Sequence, residues 1–286
     1  MGAIGLVVHP ARPAARELAL QTIAWAAEHG HTVRLDTEEA NALGRPELGA
    51  DGQALVDGLD LAVCFGGDGT MLRTVDLVAA AGVPVLGVNV GQLGYLSAIE
   101  PDGLEDALVA FFDGRFLVEE RMLVGTRVEL TGDRPDVPET EALNEIVIEK
   151  TPTVHTVRLA VSLDGEFFTT YAADGLIVAT PTGSTAYSFS ARGPIVAPGH
   201  RALIMTPVSP HMLFDRALVL EPSTEVRIVV LGPRPALLSA DGRAIATLTE
   251  GDAVVCTGSE HIARLVRYDG SDFHRVLKSK FGLNDR

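Results

Sequence analysis

Asp68 stands inside Gly66-Gly67-Asp68-Gly69-Thr70, and its carboxylate is the group of this chain best placed to do chemistry. An apolar run, Leu61–Phe65, precedes it and reads as a buried strand; Met71, Leu72, Val75, Val78 and Ala79 follow at helical spacing. The five residues therefore join a strand to a helix N-terminus. Glycines there let the backbone approach a ligand closely, and free N–H groups favour an anion. A carboxylate beside bound phosphate is repulsive unless a cation or a transferring proton accounts for it. Asp68 thus points to a reaction more than to simple binding. The pentapeptide matches neither G-x-G-x-x-G nor the Walker pattern. Alone, it is also readable as a tight turn in which Asp68 is solvated or caps the helix.

Two further polar constellations stand out. Asn144-Glu145 precedes Ile146-Val147-Ile148. A carboxylate accepts from adjacent hydroxyls and an amide both donates and accepts, so the pair suits a sugar diol, although an ordinary exposed strand entry has the same residues. Asp174-Gly175 leads into Leu176-Ile177-Val178-Ala179 and then a loop, Thr180 to Ser190, rich in hydroxyls. Pro181 and Gly183 shape that loop, and Tyr187 offers a stacking face, which favours a binding loop over a simple helix cap. Gly91-Gln92-Leu93-Gly94-Tyr95-Leu96 either lines the same site or is a turn packed by Leu93 and Leu96. His155 lies near the Asn144 strand and could reach a ligand. No nucleophile elbow and no Cys/His cluster of zinc spacing is present, so no metal-ligating residue is named. Cys64 and Cys256 sit in apolar runs and read as buried free thiols.

The elements that must position these groups fall into two kinds. Up to residue 115 strands and helices alternate: Ile4–His9, Ala14–His29, Thr32–Leu35, Leu61–Phe65, Val83–Val88 and Leu104–Phe112, with Gly30 closing the first helix. This predicts an α/β domain with a parallel sheet over 1–115. From Phe116 short alternating segments dominate: Leu123–Leu130, Ala142–Glu149, Thr156–Leu163, Gly175–Ala179, Ala202–Met205, Glu225–Val230, Ala236–Ser239 and Ala253–Cys256. Asp164-Gly165 and Asp241-Gly242 are hairpin signals between them. A β-rich domain over 116–265 follows. The remaining segment, 266–286, is helical and basic over Phe273–Phe281 and is expected to return to the first domain. Ligands of such chains commonly bind between domains and beyond the carboxyl ends of parallel strands.

The bulk numbers narrow the classes. The chain has 286 residues, a net charge of −15 and a pI near 4.9. So acidic a surface is a poor match for nucleic acid or an anionic membrane. The start, Met-Gly-Ala-Ile-Gly-Leu-Val-Val, lacks the marks of a signal peptide, and no apolar stretch is long enough to span a bilayer, so a cytoplasmic protein is expected.

Taken together in order and separation, Gly66–Thr70, Asn144-Glu145 and Asp174–Ser190 make this chain closely resemble the NAD kinase family. The resemblance covers most of the chain. It implies a Rossmann-like α/β N-terminal domain and a β-sandwich-like C-terminal domain. It implies transfer of the γ-phosphoryl group of ATP to the adenosine ribose 2′-hydroxyl of NAD, giving NADP, with a divalent cation, usually Mg²⁺, and a homodimer or homotetramer. Carried over by position, Asp68 is the general base. Gly66, Gly67, Gly69 and Thr70 hold phosphates, and Arg73 adds positive charge. Asp68, Gly69, Asn144, Glu145, His155, Asp174 and the loop of Thr185, Ala186, Tyr187, Ser188, Phe189 and Ser190 form the NAD site. The alternatives are a diacylglycerol-type lipid kinase, which shares the glycine loop, and a non-catalytic dinucleotide-binding regulator, which would not need Asp68.

Overall fold

The computed structural model describes residues 2–91, 94–151, 156–268 and 273–283. The chain divides into two compact units, Met1–Glu120 with Ile262–Arg286, and Arg121–His261.

The first unit alternates β1 (Ala3–Val8), α1 (Pro13–Glu28), β2 (Thr32–Leu35), α2 (Thr37–Leu43), a single turn α3 (Gln53–Val56), β3 (Leu61–Gly66), α4 (Asp68–Val78), β4 (Val85–Asn89) and α5 (Leu104–Phe112). The strands are parallel, in the order β2-β1-β3-β4. β1, β3 and β4 are buried along their full length. A parallel strand covered on both faces must be apolar at every position, which is why these strands read as unbroken runs. Ile4, Leu6, Val63, Phe65, Leu86 and Val88 form the core with Leu18 and Ile23 of α1 and Leu108 and Phe111 of α5. α1 starts with Pro13 at its first position. It ends with Gly30 at φ 73°, and the bonds His31 N–H to Ala26 O (2.8 Å) and Gly30 N–H to Ala27 O (3.4 Å) satisfy its last carbonyls. α2 escaped the sequence reading because it buries only Ala40 and Leu43; its start is set by the Asp36 carboxylate accepting from Glu38 N–H (2.9 Å).

The second unit is antiparallel. Its strands are the later part of β5 (Leu117–Glu129), β6 (Thr140–Ala142), β7 (Glu145–Lys150), β8 (Val157–Leu163), β9 (Glu166–Ala173), β10 (Gly175–Ala179), β11 (Leu203–Val208), β12 (Leu218–Leu220), β13 (Val226–Leu231), β14 (Ala236–Ala240), β15 (Arg243–Leu248) and the start of β16 (Ala253–Arg267), with one short helix, α6 (Tyr187–Ser190). One layer runs β16-β13-β8-β9 and the other β12-β11-β10-β7-β14-β15. Val157, Leu159 and Val161 of β8 and Val226, Ile228 and Val230 of β13 face inward, and they share a core with Ile146, Val178, Met205 and Leu238 of the other layer. β13 alternates buried and half-buried residues, the pattern of a strand with one face inward.

Several segments differ from the sequence reading. Ala142–Glu149 is two strands, broken at Leu143-Asn144, because the backbone there turns to Asp241 and Thr180 instead of continuing a ladder. Ala253–Cys256 is only the beginning of β16, which continues through the exposed Glu260 and His261 to Arg267, and Leu265 pairs with Val85 of β4 within the first unit. β9 lacks clean alternation because Phe167 and Phe168 are both exposed and a register shift between Val161 and Ser162 interrupts its pairing. β15 is a mostly exposed edge strand with little apolar signal. The last helix, α7 (Phe273–Lys280), falls within the first unit.

Asp252 ties the β-rich unit together. Its carboxylate accepts from the N–H and hydroxyl of Thr131 (2.8 and 2.9 Å) and from the N–H and hydroxyl of Thr249 (2.6 and 3.1 Å), and it pairs with Arg134. Burial alone would raise its pKa, but Arg134, Thr131 and Thr249 outweigh burial and hold it well below the usual carboxylate range. A depressed folded pKa gives stability that is complete above the unfolded value and lost as pH falls toward the folded one. Asp252→Asn is expected to cost about 3 kcal/mol near pH 7, the penalty of breaking a buried ion pair, with the deficit shrinking in acid below roughly pH 4. Urea unfolding of both proteins at pH 7 and pH 3 checks this; an equal deficit at both values would contradict it.

Candidate active site

In the first unit the carboxyl ends of β1, β3 and β4 meet at the glycine loop. His9 N–H donates to Phe65 O (3.0 Å) and Val90 N–H to Gly66 O (3.0 Å). Gly66 is required sterically, since a Cβ there would run into the Thr70 side chain. Gly67 caps α4 in an extended conformation, and Asp68 is the first residue of that helix. The N–H groups of Thr70 and Met71 turn back to Gly67 O (3.0 and 3.1 Å).

Asp68 is half-buried, and its carboxylate does not serve as a cap of α4. Its Oδ2 accepts from Tyr95 N–H and its Oδ1 from Leu96 N–H, both at 3.1 Å. A Cβ on Gly94 would fall onto this carboxylate, so the segment after β4 closes around it. Gln92 and Leu93 lie outside the described residues. Each carboxylate oxygen has a second acceptor position beyond these two bonds.

Arg73 is turned toward β1. It pairs with Glu39 of α2 at 2.6 Å and donates to Val8 O (2.9 Å), while Glu39 accepts from Val8 N–H (3.0 Å). Burial raises the Glu39 pKa, and Arg73 opposes that rise. The charge of Arg73 is thus matched inside the unit. Arg12 presents a second cation, which the sequence reading passed over. Its guanidinium lies against Gly91 at the end of β4, where a Cβ would strike it.

In the second unit Asn144-Glu145 is built by three partners. Asp241, in the β14–β15 turn, accepts from the N–H groups of Leu143 (2.8 Å), Asn144 (2.8 Å) and Glu145 (3.0 Å). Thr180 N–H donates to Asn144 O (2.9 Å) and its hydroxyl to Leu143 O (2.5 Å). Gly183 sits so close that a Cβ would strike the Asn144 carbonyl. Asp241 was read only as a turn residue. It does hold the positive φ of 48° beside Gly242 at 77° that an Asp-Gly hairpin needs, but the reach of its carboxylate to β7 is a tertiary fact.

Glu145 is buried, and its Oε2 has no hydrogen-bond partner among the described residues. Burial first, and then the charge of Asp241, push its pKa up to about 8, against a hydrogen bond from Tyr187 N–H. A raised carboxyl pKa costs stability above the unfolded value, increasingly until the folded value is passed. Glu145→Gln is therefore expected to be more stable than the parent at pH 8, by on the order of 2 kcal/mol, and no more stable near pH 4.5. Denaturant midpoints at the two values test it; an advantage that does not grow with pH would rule out the shift.

The hydroxyl-rich loop divides its side chains between structure and surface. Ser184 donates to Pro181 O (2.6 Å) and accepts from Val196 N–H (3.0 Å), and Ser188 bonds Thr206 (2.9 Å); both are buried. Thr185 donates to Thr182 O (3.3 Å). Tyr187, Phe189 and Ser190 are exposed, beside a half-buried Ala186. Asp174 pairs with Lys150 at 2.8 Å. His155 lies outside the described residues. Cys64 and Cys256 are buried and free, each thiol pushed by burial to about 12, which removes both from nucleophilic chemistry.

A sequence model of the ATP-NAD kinase N-terminal domain matches residues 4–116, and one of the C-terminal domain matches 143–268. The chain belongs to the NAD kinase family. Its sequence is 40% identical over 282 residues to NAD kinase from Moorella thermoacetica, covering 98% of this chain and 89% of that one. It is 36% identical over 281 residues to NAD kinase from Desulforamulus reducens, covering 98% and 97%. The fold is similar to that of yeast NADH kinase crystallised with NADH, with a TM-score of 0.92, 28% identity, and coverage of 100% of this chain and 89% of that chain. An NAD kinase from Archaeoglobus fulgidus in complex with ATP shares the fold, with a TM-score of 0.73 at 24% identity, covering 99% of each chain. As a member of the NAD kinase family this chain is a phosphotransferase.

Proposed function

We propose that this chain transfers the γ-phosphoryl group of ATP to the 2′-hydroxyl of the adenosine ribose of NAD, giving NADP and ADP. The observation that carries the reading is the Asp68 carboxylate, fixed at the start of α4 by Tyr95 and Leu96 N–H groups inside a glycine loop. Asp68 takes the proton of the 2′-hydroxyl. The ribose oxygen forms the new P–O bond, the bond between the γ-phosphorus and its bridging oxygen breaks, and ADP leaves. Phosphoryl transfer depends chiefly on positioning and electrostatics, so a rigid carboxylate beside phosphate-binding amides suffices. Gly66, Gly67, Gly69 and Thr70 contribute the loop. Arg12 supplies positive charge at its edge, and Arg73 braces β1 through Glu39.

The NAD ribose hydroxyls are assigned to Asn144 and to Glu145, whose unpartnered Oε2 supports that role. Tyr187 and Phe189 offer exposed ring faces for the dinucleotide, with Asp174, Thr185, Ala186 and Ser190 around them. Ser188 supports the loop from within through Thr206. Among the described residues no group of three or more His, Cys, Asp or Glu converges on one point. Mg²⁺ generally takes one or two carboxylates and completes its shell with water and substrate phosphates, so this donor set would fit a cation held mainly by the phosphates of ATP and water. When bound, the cation neutralises phosphate charge.

A homodimer or homotetramer is part of the same reading. Phe167, Phe168, Leu213, Phe214 and Val219 of the β-rich unit are exposed and supply apolar surface for it. The free cysteines fit a reducing cytoplasm, and among the described residues no helix is long and apolar enough to cross a membrane. Incubation with NAD, ATP and Mg²⁺, with NADP followed by an NADP-specific dehydrogenase, tests the function. ATP-dependent NADP formation is the expected result. NAD binding without NADP would favour the regulator, and phosphorylation of diacylglycerol but not NAD the lipid kinase.

A further inference from the structure

The N–H groups of Tyr95 and Leu96 that hold Asp68 lie on irregular backbone, so something other than a strand ladder must keep them in place. Part of the hold comes from β4. Ala98 and Ile99 N–H donate to Gly87 O (2.9 and 3.2 Å), and Asn89 N–H donates to Ile99 O (2.9 Å). These bonds lie beyond Leu96 in the chain. At Leu96 itself the hold is a side chain: Arg267 Nη1 donates to Leu96 O at 3.0 Å, while Leu96 N–H donates to Asp68 Oδ1 at 3.1 Å.

Arg267 stands on rigid backbone. It is buried at the end of β16, where Leu265 pairs with Val85, Val266 lies in the core, and the Tyr268 hydroxyl donates to Ala107 O (2.6 Å). Its Nε donates at 2.9 Å to the half-buried Glu119 of β5, so its charge is matched where it is buried. A guanidinium presents its N–H donors in fixed directions. Pinned at Nε by Glu119, it aims Nη1 at the Leu96 carbonyl. Asp68, Leu96, Glu119 and Arg267 all belong to the first unit.

We propose that Arg267, oriented by Glu119, is a positioning residue for the general base: it fixes Leu96, and Leu96 fixes the Asp68 carboxylate. This rests on the kinase reading of Asp68 and adds to it the side chains that set where the base stands.

Three variants test it. Arg267→Met removes both hydrogen bonds. Arg267→Lys keeps the charge without the fork. Glu119→Gln keeps an acceptor oxygen for Nε without the charge. Amide hydrogen exchange, followed residue by residue, needs no turnover. In Arg267→Met, Leu96 N–H is expected to exchange about tenfold faster or more, with the amides of β1 and β3 unchanged. In steady-state kinetics kcat is expected to fall about tenfold, since small misplacements of a reacting group are costly, with KM for NAD within about twofold of the parent. Arg267→Lys and Glu119→Gln are expected to lie between Arg267→Met and the parent in both measurements, and they carry the test if Arg267→Met does not fold. In an Asp68→Asn background, Arg267→Met is expected to lower the residual kcat by less than about twofold, because no base remains to be misplaced. Parental exchange at Leu96, exchange raised equally through β1 and β3, or the same loss of kcat in the Asp68→Asn background overturns the proposal. A parent protein that forms no NADP overturns the kinase reading instead, and exchange at Leu96 judges the hold of Arg267 separately.

Discussion

Asp68→Asn is expected to lower kcat by about 10²–10⁴-fold while NAD still binds, because general-base catalysis contributes an effect of that size. The substitution keeps the shape of the side chain but removes its capacity to take a proton. It also exchanges one acceptor oxygen for an NH₂ that meets a backbone donor, Tyr95 N–H or Leu96 N–H, so one of the two 3.1 Å hydrogen bonds is lost. That loss perturbs position as well as chemistry, and Gly94→Ala separates the two. Its Cβ would displace the Asp68 carboxylate without changing its chemistry. A misplacement of about 1 Å can cost about 10²-fold, so Gly94→Ala is expected to lie between the parent and Asp68→Asn. Steady-state kinetics with NAD titration measures all three. Near-parental kcat in Asp68→Asn would remove Asp68 from the mechanism.

Asp241→Ala is expected to give the second large effect, a rise in KM for NAD of about tenfold or more together with a loss of about 3 kcal/mol in stability. One carboxylate accepts from three successive N–H groups, those of Leu143, Asn144 and Glu145, and nothing on alanine replaces it. In the proposed function Asp241 acts through Asn144 and Glu145, as a positioning residue. Asp241→Asn discriminates that role from a general structural one. An amide oxygen in the place of Oδ1 keeps the bonds to Asn144 and Glu145 and loses the one to Leu143. It also removes a negative charge that raises the Glu145 pKa. The expected signature is partial rescue of KM with a shift of its pH dependence toward lower pH. An asparagine variant as impaired as alanine, with an unmoved pH profile, would assign Asp241 to folding alone.

How much was legible in the sequence follows the range of the forces involved. β1, β3 and β4 could be read because burial on both faces demands continuous apolar runs, and α4 because helical spacing is local. The glycine loop was legible for the same reason: strand end, glycines and helix start lie within ten residues. The Asp164-Gly165 and Asp241-Gly242 turns are likewise set by backbone preferences of neighbouring residues, with φ of 50° and 82° at the first.

What only tertiary structure decided are contacts between segments far apart in the chain. The carboxylate of Asp68 is oriented by residues 27 and 28 positions later. Asn144-Glu145 is shaped by Asp241, Thr180 and Gly183, and no local pattern connects those positions. Arg73 reads as a cation one turn beyond a phosphate loop, yet it is matched by Glu39 of α2, a helix the sequence reading did not find. Ser184 and Ser188 look identical in type to Ser190, but only packing decides that the first two turn inward to Pro181, Val196 and Thr206. Residue types and spacing therefore determined the reaction class and the two kinds of unit, because those depend on local geometry and burial pattern. Long-range hydrogen bonds and burial decided which carboxylate is held rigid, which is pushed to neutrality, and which hydroxyls remain for a substrate.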